Sequence, residues 1–267
     1  MDISICSYSF HRLLAAGKQD IFQYITTCKE LGATYLEPWS GHFRDKPDAP
    51  RSEPPQDNGY IAQIKQAAAA VGMPMGCIAV DGAHIYEPEA EARQTNRRRA
   101  YRWLDIAAVL GAKQMRIDSG HRADDWPDDV FQVVVAGYND LIARGRAKGV
   151  EIIIENHWGP SKHPENLVKL LQAVDGLGLL FDTNNWAEGK QGQGWELCAR
   201  YATATHVKTF SFDEAGNDPS VDLAKAMGML RRAGYDGIWG IESVPSDGDE
   251  YEGARKTIAL IKRVVGE

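Results

Sequence analysis

The sequence predicts a (β/α)8 barrel, an α/β fold built as a single domain over residues 1–267. Three observations predict it. The chain has 267 residues, near the roughly 250 typical of such a barrel and too many for one small sandwich. Eight short β-branched or apolar runs alternate with eight segments of helical periodicity. The links between them also differ by side, tight and glycine-marked after helices, long and polar after strands.

In chain order, the first strand is read over 2–7 (DISICS) and its helix over 20–31. The run 34–37 (TYLE) leads to a helix at 58–71, and 75–80 (MGCIAV) to one at 89–110, where Tyr101, Leu104, Ala108 and Val109 fall near one face. The fourth pair is 113–118 (KQMRID) with 127–148. The fifth is 151–155 (EIIIE) with 164–174, and the sixth 178–182 (GLLFD) with 194–201. The last two are 204–208 (ATHVK) with 219–233 and 237–242 (GIWGIE) with 249–265. Gly32, Gly72, Gly111, Gly149 and Gly234 close helices where a left-handed residue lets the chain turn back. Residues 40–57, with four prolines, and 119–126, 183–193 and 209–218 form the long loops after strands. In a closed barrel those loops build the working face. An open doubly wound sheet is the rival, but no GxGxxG follows the first strand.

The composition narrows the function. Thirty basic residues against thirty-seven acidic ones leave a net charge of −7, which argues against general nucleic-acid binding. Apolar runs fall short of the roughly 18–20 residues of a membrane span, and no basic segment followed by an apolar one opens the chain. Cys6, Cys28, Cys77 and Cys198 are scattered without a CxxC pair. The expectation is a cytoplasmic protein with reduced thiols, without nucleic-acid or membrane partners.

The last four strands each place a candidate metal ligand at or near the C-terminal end: Glu155, Asp182, His206 and Glu242, at intervals of 27, 24 and 36 residues. Those strands are neighbours in a closed barrel, so the side chains converge. The apolar runs IIIE and LLFD lead straight into carboxylates, and a shared cation offsets the cost of burying them. Three carboxylates with one imidazole suit Mn²⁺, Mg²⁺ or Co²⁺ over a thiolate-preferring ion, with Zn²⁺ also open. Taken singly, each residue could equally end its strand as a cap or ion-pair partner.

With SYSF at the start, LEPW after the second strand and this Glu…Asp…His…Glu series, the chain resembles the xylose isomerase-like, sugar phosphate isomerase/epimerase superfamily of TIM barrels. The resemblance implies one divalent metal, usually Mn²⁺, on Glu155, Asp182, His206 and Glu242. It also implies proton exchange with a carbohydrate substrate by Glu155 and Glu242. Isomerisation or epimerisation then proceeds by proton abstraction next to a carbonyl, through a metal-stabilised enediolate. A lyase or dehydratase acting on a keto-sugar or inosose shares the series, and a non-catalytic sugar-binding barrel is the remote alternative. Relatives are often dimers or tetramers, so the resemblance includes a homo-oligomer among the partners.

Around this core, His157 and Lys208 each stand two residues beyond a ligand, on the same strand face, and are candidate substrate contacts. His157 reads equally as an orienting residue, and Lys208 as a surface ion pair. Asn185 occupies the place where many relatives carry histidine in Asp-x-x-His, and its amide suits a hydroxyl. Trp158 and Trp186 are candidate sugar-stacking rings or barrel-rim plugs. Glu37 is read as orienting a neighbour, and His11, His42, His84 and His121 as solvated.

Overall fold

The computed structural model describes residues 1–46, 50 and 52–266; residues 47–49, 51 and 267 lie outside that description, including part of the proline-rich 40–57 loop. Eight strands form one parallel sheet: β1 (Ile3–Cys6), β2 (Tyr35–Glu37), β3 (Cys77–Val80), β4 (Gln114–Ile117), β5 (Glu151–Glu155), β6 (Gly178–Asp182), β7 (Ala202–Thr209) and β8 (Trp239–Ser243). Their order is β2-β1-β8-β7-β6-β5-β4-β3, and every ladder is parallel. Single bridges Leu36–Met75 and Trp39–Ala79 draw β2 and β3 together and nearly close the barrel.

The helices are α1 (His11–Ala15), α2 (Ile21–Glu30), α3 (Asn58–Ala70), α4 (Ala90–Leu110), α5 (Asp128–Lys148), α6 (Pro164–Ala173), α7 (Gln191–Cys198), α8 (Leu223–Arg232) and α9 (Glu250–Val265). All eight predicted strands and helices are present, and α1 is an additional short one. Two helices differ from expectation at their ends. α7 begins earlier than 194 because Gly192 and Gly194, poor helix formers, hide its first turn. A Cβ on Gly194 would lie 2.3 Å from the Trp186 ring, so packing keeps the glycine there. α8 begins later than 219 because Asp218 ties down the preceding loop, accepting from the Phe210 and Ser220 amides, and Asp222 caps the helix.

The five helix-closing glycines all have positive φ, and Gly111 and Gly149 are the left-handed residues that end α4 and α5. Outward-facing strand residues and inward helix faces form one large apolar cluster between barrel and helices. Inside the barrel a small separate cluster, Cys77, Ile153, Leu180 and Ala204, plugs the lumen. Side chains alternate along a strand, so the next inward positions above Ile153, Leu180 and Ala204 are Glu155, Asp182 and His206. The plug thus forms a dry floor under the polar layer. Among the described residues no helix is long and apolar enough to cross a membrane.

Candidate active site

The polar layer gathers the four residues singled out by their spacing. Glu155, Asp182, His206 and Glu242 are all buried, and one ligand atom from each lies within 4.8 Å of the others. His206 Nδ1 faces the three carboxylates, 3.0 Å from Glu242 Oε2, 3.3 Å from Glu155 Oε1 and 3.9 Å from Asp182 Oδ2. Neither His206 Nδ1 nor Asp182 Oδ2 makes an aligned hydrogen bond, although both are buried. Buried polar atoms normally find partners. Three carboxylates and an imidazole nitrogen aimed at one point, two of these atoms without an aligned hydrogen bond, fit a divalent cation.

The opposite side of the imidazole explains how His206 is held. Nε2 lies 2.6 Å from Glu37 Oε1, and Glu37 Oε2 accepts from Ser4 Oγ at 2.6 Å. The Glu37 backbone N–H donates to Tyr24 Oη, which in turn donates to the Ile5 carbonyl. With Nε2–H directed at Glu37, Nδ1 is the nitrogen left for a cation, an arrangement common around metal-binding histidines. Glu37 therefore orients a neighbour, as the sequence suggested. Gly240 makes room for it: a Cβ there would lie 2.8 Å from Glu37 Oε2 and 2.1 Å from the Thr205 carbonyl.

Asp182 is fixed from two directions. Its Oδ1 accepts the Asn184 and Asn185 backbone N–H groups. The Asn156 side chain accepts from the Asp182 amide and donates to the Asp182 carbonyl, extending the β5–β6 pairing. Asn185 then bridges inward, donating from Nδ2 to Glu155 Oε1 and accepting from Lys208 Nζ. Lys208 is no surface residue. Its ammonium lies 2.9 Å from Glu242 Oε1 and 3.8 Å from Asp182 Oδ2.

Burial pushes up the Glu155, Asp182 and Glu242 carboxyls, and the neighbouring charges decide where each settles. Asp182 is pushed up to about 6, burial and the other carboxylates outweighing Lys208. Glu155 ends below the usual range because Arg116 and His157 overcome its burial. Glu242 ends well below because Lys208 and His206 do the same. His157, despite burial, is raised to about 9 by Asp118 and Glu155.

A cavity of about 170 Å³ is lined by Glu155 and Glu242 of the four, while Asp182 and His206 are fully buried and do not line it. Tyr8 and Trp39 come to it from the ends of β1 and β2, Asp81 from β3, Arg116 from β4, and His157 and Lys208 from β5 and β7. His157 and Lys208 thus stand where the sequence placed them. Trp158 and Trp186 stand apart from the cavity lining. Trp158 Nε1 donates to Asp118, with its ring edge-on to His84. Trp186 is buried edge-on to Phe181, 5.7 Å between centroids. His42, expected in solvent, is buried at 1% exposure beside Tyr24 and Trp39.

Sequence reading missed Arg116, only 4% exposed. Its Nη1 donates to Asp81 Oδ1 at 2.8 Å, Asp118 Oδ2 at 3.1 Å and the Val80 carbonyl, and its Nε lies 3.1 Å from Glu155 Oε2. The signal was present in QMRID: an arginine and an aspartate two apart on one face of a buried strand demand a polar lumen.

The family model for the xylose isomerase-like TIM barrel matches residues 25–264. No curated protein matches the chain significantly in sequence. Solved structures align over nearly all of it. A probable 3-DHS dehydratase from Bacillus anthracis has a TM-score of 0.75 at 14% identity, covering 98% of this chain and 100% of its own. The apo 3-keto-D-glucoside 4-epimerase of E. coli gives 0.72 at 15% identity, over 92% and 95%. D-psicose 3-epimerase from Clostridium cellulolyticum H10, solved with D-tagatose, gives 0.75 at 15% identity, over 99% of each chain. Identities this low bear on the fold alone.

Proposed function

The chain belongs to the xylose isomerase-like TIM-barrel family, and from that premise we propose that it is a divalent-metal-dependent isomerase or epimerase of a sugar, keto-sugar or sugar phosphate. The observation that carries the reading is the convergence of Glu155, Asp182, His206 and Glu242 at a small cavity that the two glutamates line. These four residues would hold the cation, Mn²⁺ first among Mg²⁺, Co²⁺ and Zn²⁺ for a set of three oxygens and one nitrogen. When bound, the ion supplies Lewis-acid polarisation of a carbonyl and its neighbouring hydroxyl.

The chain's own groups do the rest. Glu155 on β5 and Glu242 on β8 flank β6 and β7, so a substrate carbon above the centre has a carboxylate on either side. One takes the proton next to the carbonyl, and the other returns it on the opposite face. Asp182 and His206 stay in place, pinned by Asn156, Asn185 and Glu37. Lys208 and His157 face the cavity as donors to substrate oxygens. The same epimerising chemistry appears in the names of two structural neighbours, which act on 3-keto-D-glucoside and D-psicose.

Elimination is the second reading, favoured by one observation. Lys208 and His157 both line the cavity beside the glutamates, so a leaving hydroxyl has proton donors at hand. Incubation of the Mn²⁺-loaded protein with ketoses and inososes in D₂O, followed by NMR and mass spectrometry, separates the two. Epimerisation places one deuteron on the carbon next to the carbonyl without loss of water, whereas elimination releases water. Absence of exchange across the panel, together with failure to retain any divalent ion, would overturn both.

A further inference from the structure

A second cluster able to hold a cation adjoins the first. Asp118, Glu155 and His157 each offer a ligand atom, and these too lie within 4.8 Å of one another. Asp118 is 7% exposed, and its Oδ1 is buried without a hydrogen-bond partner. A buried carboxylate oxygen in that state calls for positive charge.

The positive charge beside Asp118 is Arg116, which meets the other oxygen, Oδ2, and leaves Oδ1 unpartnered. Its guanidinium lies 3.1 Å from Asp118 Oδ2 through Nη1 and 3.1 Å from Glu155 Oε2 through Nε. Asp81 at 2.8 Å and the Val80 carbonyl at 3.2 Å anchor it from the β3 side. The guanidinium is permanently charged, and its Nη1 alone reaches Asp81, Asp118 and the Val80 carbonyl. We propose that Arg116 occupies the place of a second divalent cation and thereby keeps the centre mononuclear. A fixed positive charge about 3 Å from the carboxylates of the second cluster repels an incoming dication at short range. Glu155 is divided by the same contact. Its Oε1 faces His206 and Asn185 while Oε2 faces Arg116, so its carboxylate is held back from bridging two ions.

This inference rests on the metal-centre reading only in that both clusters share Glu155. Its test is therefore a difference between variants. Wild-type protein, Arg116→Ala, Arg116→Gln, Arg116→Lys and the double variant Arg116→Ala/Asp118→Asn are equilibrated with Mn²⁺ and desalted. Bound metal per chain is then measured by mass spectrometry, with EPR to detect coupling between adjacent Mn²⁺ ions. Arg116→Ala and Arg116→Gln should each gain one ion over the wild type and show a spin-coupled signal. Arg116→Lys and the double variant should stay at the wild-type ratio. Arg116→Gln keeps most of the side-chain volume and serves where the alanine variant folds poorly, as judged by circular dichroism. An unchanged ratio without coupling in folded Arg116→Ala or Arg116→Gln overturns the proposal, as does a wild type that already holds a coupled pair. A wild type that holds no ion defeats the metal-centre reading, while a gain of one ion on removing the guanidinium still supports the role of Arg116.

Discussion

Replacing Glu37 by glutamine tests whether the site depends on the charge behind its histidine. The substitution keeps the volume and leaves an amide oxygen able to accept from His206 Nε2–H, so it removes mainly the charge from a 2.6 Å contact. Hydrogen bonds to charged groups contribute about 1.5–3 kcal/mol and neutral ones about 0.5–1.5 kcal/mol, a difference of roughly 1–1.5 kcal/mol. Outer partners of metal-binding histidines typically matter by about 10- to 100-fold in metal affinity. One effect works the other way. Burial lowers the basicity of His206, but Glu37 and then Cys6 raise it well above normal, so losing the charge also eases release of the competing Nδ1 proton. The expectation is the lower end, a roughly tenfold weaker Mn²⁺ affinity, or about 1.4 kcal/mol. Calorimetric titration of metal-free protein measures it. Glu37→Ala should lose more affinity and also stability, about 1–3 kcal/mol in urea, because Nε2–H and Ser4 Oγ lose their buried acceptor. Unchanged Mn²⁺ affinity in a natively folded Glu37→Gln protein would refute the reasoning.

Gly240→Ala should destabilise the fold by about 1–3 kcal/mol in urea denaturation, since the new methyl meets the Thr205 carbonyl at 2.1 Å and crowds Glu37. Metal affinity should fall with it, and a variant as stable as the wild type would contradict the close approach. Asp118 is buried, which opposes ionisation, yet Arg116 and His157 lower its pKa to about 2 from an ordinary 3.8. Its folded value is depressed, so its contribution is complete above about pH 4 and disappears as pH falls through about 2, worth roughly 2 kcal/mol in all. Asp118→Asn should accordingly flatten the loss of stability between about pH 4 and 2, as read by urea midpoints along a pH series. All four cysteines are buried, and burial pushes the Cys6 thiol up to about 11. Iodoacetamide at pH 8 should leave the native protein unlabelled and modify four thiols in urea, whereas rapid native labelling would contradict their burial.

Much of the barrel was legible because its parts repeat a simple local rule. Runs such as EIIIE and GLLFD are apolar on both faces, as buried parallel strands must be, and each begins soon after a helix has delivered the chain. The signal failed where two rules conflicted. In α7 the demand of Trp186 for a bare Gly194 suppressed the helical pattern. In the loop before α8, Asp218 satisfies backbone amides by side-chain turns that periodicity does not register.

The site divides in the same way. Glu155, Asp182, His206 and Glu242 were legible because each occupies an inward position at or near the C-terminal end of one of four consecutive strands. Glu37 was visible only as a strand-ending carboxylate, since its partner His206 lies 169 residues away. Arg116 was missed because a cation inside a strand has meaning only beside the anions it serves, and those come from three different strands or their ends. For the tryptophans the sequence leaves open a sugar-stacking ring or a barrel-rim plug, since a large ring close to a ligand in sequence suits either. Trp158 instead donates to Asp118, which Arg116 and His157 also contact. That geometry makes the ring a brace for the carboxylate. The chemistry of this lumen therefore depends on pairs of opposite charge assembled by closure of the barrel, and local pattern records only one member of each pair.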